Sequence, residues 1–244
     1  MDIKSAKYDA ERLEILRDAN FPLSAKYDME WLLDNKMGSQ CLWLTEGLAR
    51  DMQLKPGMRV LDLGCGRALT SKFLAQEFGV QVYATDLWVS ATDNWKRICE
   101  WDLQDKITPI RAEAHTLPYA DGFFDAAFIV NSYQFYGTSD IYFNEYLGKL
   151  VRPGGLLGFA LPGLINDVEE YPKDWLETDQ LYYHTLDYWR SYFRKCRADI
   201  LHIDDYRGYG NTIIRKWEAA VNDVKLEKVV NDNMAWFRVI VRKK

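Results

Sequence analysis

A glycine-rich turn between a hydrophobic run and a helix-like segment carries the strongest chemical signal in this chain. The segment reads Val-Leu-Asp-Leu-Gly-Cys-Gly-Arg-Ala over residues 60–68, with glycines at Gly64 and Gly66. These glycines allow backbone N–H groups to approach a ligand closely, beside a helix N-terminus that favours negative charge. Twenty-two residues after Gly64, Asp86 ends a second hydrophobic run, where its carboxylate can accept both hydroxyls of a ribose. The order of strand, glycine turn, helix, strand and acid therefore predicts a nucleotide-type binding site.

The rest of the sequence predicts the elements that must position this turn. From residue 59 onward, short hydrophobic runs alternate with helix-period segments, which is typical of a parallel sheet covered by helices. The predicted strands span residues 59–63, 81–85, 107–112, 124–130, 155–161, 199–203 and 235–241. Helices are predicted over about 69–77, about 140–150 and 186–196, the last one capped by Thr185. A further helix is predicted to begin after Ser90 as its N-cap, with Asp93 three residues on.

The spacing of these elements predicts one domain over residues 1–244. Residues 1–58 are expected to form two or three helices that cap the sheet, and residues 59–164 to form the binding core. In residues 165–210 ten of the 46 residues are aromatic, so we expect a cap or lid inserted after the fifth strand. Residues 211–244 are expected to supply a final helix and strand.

Composition excludes several classes of protein. With 244 residues, 48% hydrophobic and 27% charged, the chain can bury a large core and is not disordered. Its net charge of −5, with scattered basic residues, argues against nucleic acid or stable membrane association. No apolar run approaches the roughly 20 residues of a membrane-spanning helix, and the first residues lack a signal peptide's apolar core, so a cytoplasmic protein is expected. Four dispersed cysteines, without a C-x-x-C pair, predict free thiols and no metal site.

The ordered motifs resemble those of the class I S-adenosylmethionine-dependent methyltransferases. The family's first motif, written D-x-G-x-G-x-G, is similar to residues 62–68, with Ala68 in place of the last glycine. The family's D-A-x-x-L-P-F…F-D block resembles residues 113–125, and its L-K-P-G-G motif resembles residues 150–155. The flanks resemble bacterial cyclopropane-fatty-acid-synthase-like methyltransferases. The resemblance implies an α/β, doubly wound, Rossmann-like sheet of seven strands, the last one antiparallel between the fifth and sixth.

The resemblance also implies a cofactor, S-adenosyl-L-methionine, which becomes S-adenosyl-L-homocysteine. Asp62 and the backbone of Gly64 and Gly66 are then expected to hold its methionine end. Asp86 is expected to bind the ribose diol, and Leu87 to cover one face of the adenine. From the residues alone, the glycines are also compatible with a plain tight turn, and Asp86 with a helix cap.

Three further positions complete the cofactor site that the resemblance implies. Glu113 stands where the family usually has an Asp at the adenine amine, and Ala114 is expected to offer a backbone N–H to the ring. Glu113 is equally compatible with a solvated loop acid. Asn131 ends the fourth strand, at the carboxyl edge where cofactor and substrate meet in such sheets.

Methyl transfer from a sulfonium is an in-line displacement for which the protein supplies alignment, desolvation and sometimes a base. The candidate catalytic residues are His184, Tyr133 and His115, and the candidate substrate-binding residues are Tyr133, Tyr136 and Trp189. Aromatic faces at the strand ends can hold a sulfonium or a methylated ammonium. The structural alternatives are an exposed loop for His184, a cofactor wall for His115, and packing of a cap for the tyrosines.

The sequence thus predicts an enzyme that methylates an O, N, S or C atom of a small molecule and is a monomer or homodimer. A non-catalytic S-adenosylmethionine-binding protein is one alternative. Cyclopropane-type lipid modification is another, although no basic amphipathic helix is evident. A nicotinamide dehydrogenase is disfavoured because Leu69 stands where its G-x-G-x-x-G motif needs glycine. The sequence after the fourth strand, 131–134, lacks the prolines of the D/N-P-P-Y/F motif of amino methyltransferases.

Overall fold

A mixed β-sheet forms the centre of the protein, whose computed structural model describes residues 8–139, 141–167, 183–222, 225 and 232–244. The strands are β1 (Arg59–Leu63), β2 (Gln81–Asp86), β3 (Ile107–Arg111), β4 (Phe124–Val130), β5 (Val151–Leu164), β6 (His184–Thr185), β7 (Ala198–Asp204) and β8 (Met234–Lys243). Their order is β3-β2-β1-β4-β5-β8-β7, with β6 paired to β5. Strands β1 to β5 are parallel, and β8 runs antiparallel to β5 and β7. The predicted doubly wound sheet with its inserted antiparallel last strand is confirmed.

Two details of the sheet differ from the sequence-based prediction. The two-residue β6 was not expected, because so short a strand carries no periodic signal. Strand β5 begins at Val151, which pairs with Phe124, before the next paired residues, Leu156 and Ala126. The register shift between these pairs accommodates Pro153 and its following glycines, so the turn predicted to precede the strand is an irregularity within it.

The helices are α1 (Ala10–Ile15), α2 (Met29–Asn35), α3 (Cys41–Ala49), α4 (Leu69–Phe78), α5 (Ala91–Glu100), α6 (Gly148–Leu150), α7 (Leu186–Lys195) and α8 (Gly210–Asn222). Three of them precede the sheet, as predicted. The Ser90 hydroxyl accepts the Asp93 N–H at 3.0 Å, which is the expected N-cap of α5. Thr185 likewise caps α7 by accepting the Tyr188 N–H at 3.4 Å. The helix predicted over 140–150 is instead the π-helix Phe143–Leu147 leading into α6, and residue 140 lies outside the described residues.

The two faces of the sheet bury separate hydrophobic cores. Side chains alternate along each strand, so Val60 and Phe128 join one core, whereas Leu61 and Phe159 join the other. Helices α3, α4 and α8 pack on the first face, and Trp189 of α7 packs on the second. Nearly continuous apolar strands are expected for a sheet covered on both faces.

The aromatic segment 165–210 is described in part. Residues 168–182 lie outside the described residues, and the remainder includes β6, α7 and β7. Strand β7 belongs to the main sheet and α7 to the layer packed on it. In the final segment, residues 223–224 and 226–231 also lie outside the described part. The proposed domain boundaries therefore stay a prediction.

The sheet order brings the predicted binding residues together. Strands β2 and β3 lie on one side of β1, whereas β4 and β5 lie on the other. Such a reversal opens a crevice outside the carboxyl ends of the strands. Gly64 follows β1, Asp86 ends β2 and Asn131 follows β4, so all three lie at this crevice.

The described residues offer neither a membrane-spanning helix nor a cluster of metal-ligating side chains. None of their helices has the length and apolar character needed to cross a membrane. No group of three or more His, Cys, Asp or Glu side chains among them is arranged to hold a metal ion. All four cysteines are free thiols, as predicted.

A buried carboxylate fastens the N-terminal region to the last helix. Asp18 is 4% exposed, and it accepts hydrogen bonds from the Lys216 ammonium at 2.5 Å and the Tyr209 hydroxyl at 2.6 Å. Burial alone raises the pKa of Asp18, but hydrogen bonds from these two groups bring it below its ordinary value. Arg12 of α1 donates to the Ala220 carbonyl of α8 at 2.8 Å. The first helix is thereby held against α8.

We expect Asp18→Asn to lose about 1–3 kcal/mol of unfolding free energy at neutral pH, because the neutral amide leaves the Lys216 ammonium without its counter-charge. Folding lowers the pKa of Asp18, so its contribution is present above the ordinary carboxyl range and disappears as the pH falls through the folded-state value. Urea unfolding of both proteins at pH 7 and in acid measures this difference.

The control is Asp187→Asn, which removes an exposed carboxylate paired with Arg190 at 2.9 Å. That change should cost less than about 0.5 kcal/mol. Equal losses in the two variants would contradict a special role for Asp18.

Candidate active site

The loop after β1 has a backbone that only small residues accommodate. Gly64 has φ of +76°, and a Cβ atom on it would lie 2.4 Å from the Ser132 Cβ, so neither the conformation nor the space admits a side chain. Gly66 has φ of +53°. Ala68 caps α4 with φ of +61°, a left-handed conformation that costs an alanine roughly 1–2 kcal/mol. Glycine adopts this conformation without such strain, which explains why the family that this chain resembles has glycine at the position of Ala68.

Asp86 joins the ends of β1 and β2 through backbone hydrogen bonds. Its Oδ2 accepts the Gly66 N–H at 2.8 Å, and its Oδ1 accepts the N–H groups of Trp88 at 2.8 Å and Val89 at 2.9 Å. The side chain is 7% exposed and lines the cavity described below. Three bonds leave one lone-pair direction of Oδ2 for a ligand. Asp86 therefore shapes the glycine loop and still presents an acceptor to the cavity.

Asp62 lies behind the loop rather than in the wall of the cavity. It is 1% exposed, and its Oδ2 accepts hydrogen bonds from the hydroxyls of Thr70 and Ser71, the latter at 2.6 Å. Its Oδ1 has no hydrogen-bond partner among the described residues. Burial, and to a smaller extent the Asp86 charge, raise the pKa of Asp62 to about 6 against the lowering effect of the two hydroxyls. A buried acceptor without a donor is costly unless a ligand supplies one.

The segment between α2 and α3 closes the other side of the site. Met37, Gly38, Ser39 and Cys41 line the cavity. A Cβ atom on Gly38 would lie 2.7 Å from the Asn131 Nδ2, so the two segments are in close contact. Asn131 itself has φ of +56°, a conformation that asparagine tolerates better than most residues.

Sequence reasoning missed Gln40, which precedes α3. Its side chain is fully buried, and neither its amide oxygen nor its amide nitrogen has a partner among the described residues. Its neighbours Ser39 and Cys41 both line the cavity. A buried donor and a buried acceptor that are both unpaired are unusual in a native interior. The only signal in the sequence was a polar residue directly before the mostly apolar helix Cys41–Ala49.

These elements enclose a cavity of about 510 Å³ at the carboxyl edge of the sheet. The sequence-predicted residues that line it are Gly64, Gly66, Asp86, Leu87, Glu113, Ala114, His115, Asn131 and Tyr136. Asp62, Tyr133, His184 and Trp189 are absent from its described lining. Most of the predicted cofactor-binding positions are thus brought together, whereas most of the predicted catalytic positions are not.

Glu113 and His115 form a pair on one wall. Glu113 accepts the His115 backbone N–H at 2.8 Å with one oxygen, and its other oxygen lies 2.8 Å from His115 Nδ1. Burial acts to raise the pKa of Glu113, but its bonds to His115 hold that pKa below its ordinary value. The imidazole packs edge-on against Tyr142, with ring centroids 4.8 Å apart. His115 is the only one of the three predicted catalytic residues that lines the described cavity.

Tyr133 and Trp189 belong to the core rather than to the cavity wall. Both are fully buried, and the Tyr133 hydroxyl lies 2.7 Å from that of Tyr192. Since Tyr192 donates to the Gly137 carbonyl at 2.6 Å, Tyr133 must donate to Tyr192. His184 stacks on Tyr188 at a centroid distance of 3.7 Å, and burial lowers its pKa. These residues pack α7 onto the sheet.

Apolar side chains surround the mouth of the cavity. Met37, Leu87, Trp88 and Phe135 line it and are 41%, 47%, 71% and 40% exposed. The rings of Trp88 and Phe135 have centroids 6.2 Å apart. Scattered exposed apolar residues are ordinary, but a contiguous group at one opening indicates a binding surface. We call these four residues the apolar rim.

A second cavity, of about 250 Å³, is lined by Arg50, Arg207 and Arg238. Each of the three arginines already pairs with a carboxylate, from Glu46, Asp51 or Asp204. Paired guanidinium groups leave no uncompensated positive charge for an anion, so this cavity is not a candidate site.

Comparisons with known proteins agree with this arrangement. A family profile described as a methyltransferase domain matches residues 60–155. Methyltransferase GfsG of Streptomyces halstedii is 26% identical over 204 residues, covering 79% of this chain and 73% of GfsG. The 2-methyl-6-phytyl-1,4-hydroquinone methyltransferase of Synechocystis sp. is 32% identical over 108 residues, covering 44% of this chain and 33% of that protein.

A solved structure shares the fold. Phosphoethanolamine N-methyltransferase 2 of Haemonchus contortus, in complex with S-adenosyl-L-methionine, superposes with a TM-score of 0.68 at 18% identity. The alignment covers 95% of this chain and 60% of that one.

We expect Asp62→Asn to raise the unfolding free energy by about 1–3 kcal/mol above pH 7, because the amide retains an acceptor for Thr70 and Ser71 without a buried charge. Folding raises the pKa of Asp62 to about 6, so its charge destabilises the fold above that pH. The gain should therefore shrink as the pH falls and vanish once both states are protonated. Thermal unfolding between pH 4 and 8 measures it.

The matched variant is Asp62→Ala, which leaves both hydroxyls without an acceptor and should destabilise the protein at every pH. An Asp62→Asn protein that is less stable than wild type at pH 8 would contradict the buried-charge argument.

Proposed function

The chain belongs to the class I S-adenosylmethionine-dependent methyltransferases, and on this premise we propose that it transfers the methyl group of S-adenosylmethionine to an apolar small-molecule acceptor. The observation that carries the proposal is a single cavity that joins the glycine loop and Asp86 at its inner end to the apolar rim at its mouth. The inner end suits a charged, hydroxyl-bearing cofactor. The mouth suits a molecule that buries hydrocarbon.

The residues at the inner end fit the cofactor. Gly64 and Gly66 both line the cavity and have no side chains, so their backbone would hold the methionine end. The unpartnered Oδ1 of Asp62 lies behind this loop and favours a nearby positive charge, which the cofactor carries on its ammonium and sulfonium groups. The remaining acceptor direction of Asp86 suits a ribose hydroxyl. Leu87 would cover the adenine, and Ala114 would offer its N–H to the ring.

The cofactor supplies an activated methyl group, so the protein's task is alignment and exclusion of water. An in-line displacement gains most from holding the acceptor atom opposite the leaving sulfur, and orientation of this kind contributes up to about 7–11 kcal/mol. Gly38 and Asn131, which are in close contact, both line the cavity and narrow the access of water to it. Burial raises the pKa of the Cys65 thiol well above its ordinary value, and raises that of Cys41 to about 12, so neither competes as a nucleophile.

The acceptor is inferred from the apolar rim. The named substrates of the relatives differ, since one acts on a phytyl-substituted hydroquinone and the structural neighbour on phosphoethanolamine. The rim carries no charged side chain among its four members. Burying a ring of Phe135 or Trp88 against hydrocarbon is favourable, whereas the four rim side chains offer no ion-pair partner to an anionic acceptor. A hydrophobic acceptor therefore fits the rim better than an anionic one.

We expect Asp86→Ala to weaken S-adenosylmethionine binding at least about 30-fold, because it removes a charged acceptor and frees three backbone N–H groups of the loop. Isothermal calorimetry with S-adenosylmethionine, S-adenosylhomocysteine and NAD on both proteins tests this. The exposed Asp105→Ala variant is the control and should bind like wild type. Wild-type binding of NAD alone, or of none of the three, would overturn the proposed function.

We expect Phe135→Ala to raise KM for an apolar acceptor by about tenfold while leaving cofactor affinity unchanged, because a ring half-exposed at the mouth contributes contact to the acceptor. Transfer of isotopically labelled methyl to a panel of hydrophobic and charged acceptors, followed by mass spectrometry, identifies the acceptor first. Trp95→Ala is the matched control, since Trp95 is 44% exposed and does not line the cavity. Turnover confined to charged acceptors would reject the apolar class.

A further inference from the structure

We propose that Asn94 is a positioning residue for the cofactor, because it fixes the peptide group between Gly66 and Arg67 so that the Arg67 N–H faces the cofactor's carboxylate. This assignment rests on the proposed function, and it adds to the site a residue that lies outside the cavity. Asn94 is 1% exposed, lies in the first turn of α5 and is absent from the described lining of the cavity.

The partners of Asn94 fix the direction of its side-chain amide. The Arg97 Nη1 donates to the Asn94 Oδ1 at 3.1 Å, and a guanidinium has no acceptor, so the amide oxygen must face Arg97. The Asn94 Nδ2 donates to the Gly66 carbonyl oxygen at 2.9 Å and lies 3.9 Å from the Cys65 Sγ. A reversed amide would set its oxygen against the Gly66 carbonyl and its nitrogen against Arg97. Only the observed orientation satisfies these partners.

Two side chains hold the backbone of Gly66, one on each side of its Cα atom. Asp86 accepts the Gly66 N–H at 2.8 Å, and Asn94 donates to the Gly66 carbonyl. Gly66 has φ of +53° and no side chain, so the peptide groups next to it would rotate at low cost without these bonds. Asp86 therefore fixes the peptide group before Gly66, and Asn94 fixes the one after it.

The bond from Asn94 also sets the direction of the Arg67 N–H. This N–H and the Gly66 carbonyl belong to one planar trans peptide group, in which the two bonds point in opposite directions. Because the carbonyl points toward Asn94 in α5, the Arg67 N–H points away from α5. Gly66 and Arg67 line the cavity, whereas Asn94 does not. The Arg67 N–H has no hydrogen-bond partner among the described residues, so it is a free backbone donor of the glycine loop.

A free N–H at this place suits a carboxylate, which the methionine end of S-adenosylmethionine carries. A charged acceptor forms a stronger hydrogen bond than a neutral one. The donor also lies just before α4, whose N-terminus favours negative charge and whose capping Ala68 has no side-chain acceptor to compete with a ligand. If the peptide group rotated, the Gly66 carbonyl would face the carboxylate and repel it. Asn94 thus acts through the backbone without touching the cofactor.

The test is the preference for S-adenosylmethionine over decarboxylated S-adenosylmethionine, measured by calorimetry on wild type and Asn94→Leu. Leucine has nearly the shape of asparagine and donates no hydrogen bond. We expect the preference to fall about tenfold, the effect of losing one hydrogen bond to a charged group, while the decarboxylated compound binds as it does to wild type. The control is Asn211→Leu, since Asn211 lies in the first turn of α8 and donates to the Met234 carbonyl at 2.7 Å, outside the cavity. Its preference should equal that of wild type.

An unchanged preference in Asn94→Leu would overturn the inference. Equal weakening of both compounds would overturn it too, because Asn94 would then support the loop without directing the Arg67 N–H. If Asn94→Leu does not fold, Arg97→Met serves instead: the amide loses the donor that fixes its orientation, so the preference should fall about threefold, and an unchanged value would again overturn the inference. Wild-type protein that binds neither compound would reject the proposed function instead, so the two failures are distinct.

Discussion

The site depends on the carboxylate of Asp86, which accepts hydrogen bonds from three backbone N–H groups. Strands β1 and β2 are adjacent and parallel, so their carboxyl ends meet, and the loops that leave them must bend away without losing their hydrogen bonds. One anion at the end of β2 satisfies the donors of both loops. The glycine loop is thereby held in place at the reversal of strand order, where its backbone forms part of the crevice wall.

Several features that lower the free energy of unfolding lie around this crevice. Ala68 and Asn131 adopt left-handed backbone conformations, Asp62 keeps a raised pKa, and Gln40 buries an amide with no partner among the described residues. Each of these features destabilises the fold, and the core does not require any of them. The two hydrophobic cores on either face of the sheet offset these costs. Strain and unsatisfied polar groups gathered at one place are typical of a site prepared for a ligand.

The sequence predicted the parts of this architecture that follow from backbone constraints. Glycines at Gly64 and Gly66, and an acid at the end of β2, leave few conformations, so most of the positions predicted to bind a cofactor line one cavity. Tyr133 and Trp189 could not be placed in this way, because an aromatic residue after a strand packs inward or lines a cavity with the same sequence pattern. Here the hydroxyl bond from Tyr133 to Tyr192 keeps it in the core.

Other differences have the same physical origin. The residue types of the π-helix Phe143–Leu147 are those of an ordinary α-helix, so the sequence does not distinguish the two. Strand β6 has only two residues, too few to show an alternating pattern of apolar and polar side chains. Gln40 is significant only because Ser39 and Cys41 beside it face the cavity, which is a consequence of tertiary packing. Long periodic segments and glycine turns are therefore readable from sequence, whereas the direction of a single side chain depends on what surrounds it.

The charges around the crevice bear on how such a site would discriminate reactant from product. Two acidic side chains, Asp86 and Glu113, and one basic side chain, Arg67, line the described cavity, and the buried Asp62 lies behind the glycine loop. A site of this composition attracts a cation more strongly than a neutral molecule of the same shape. Methyl transfer removes the positive charge from sulfur, so the groups that hold the reactant hold the product less tightly. Alignment for the displacement and release after it can thus arise from one arrangement, without a moving part.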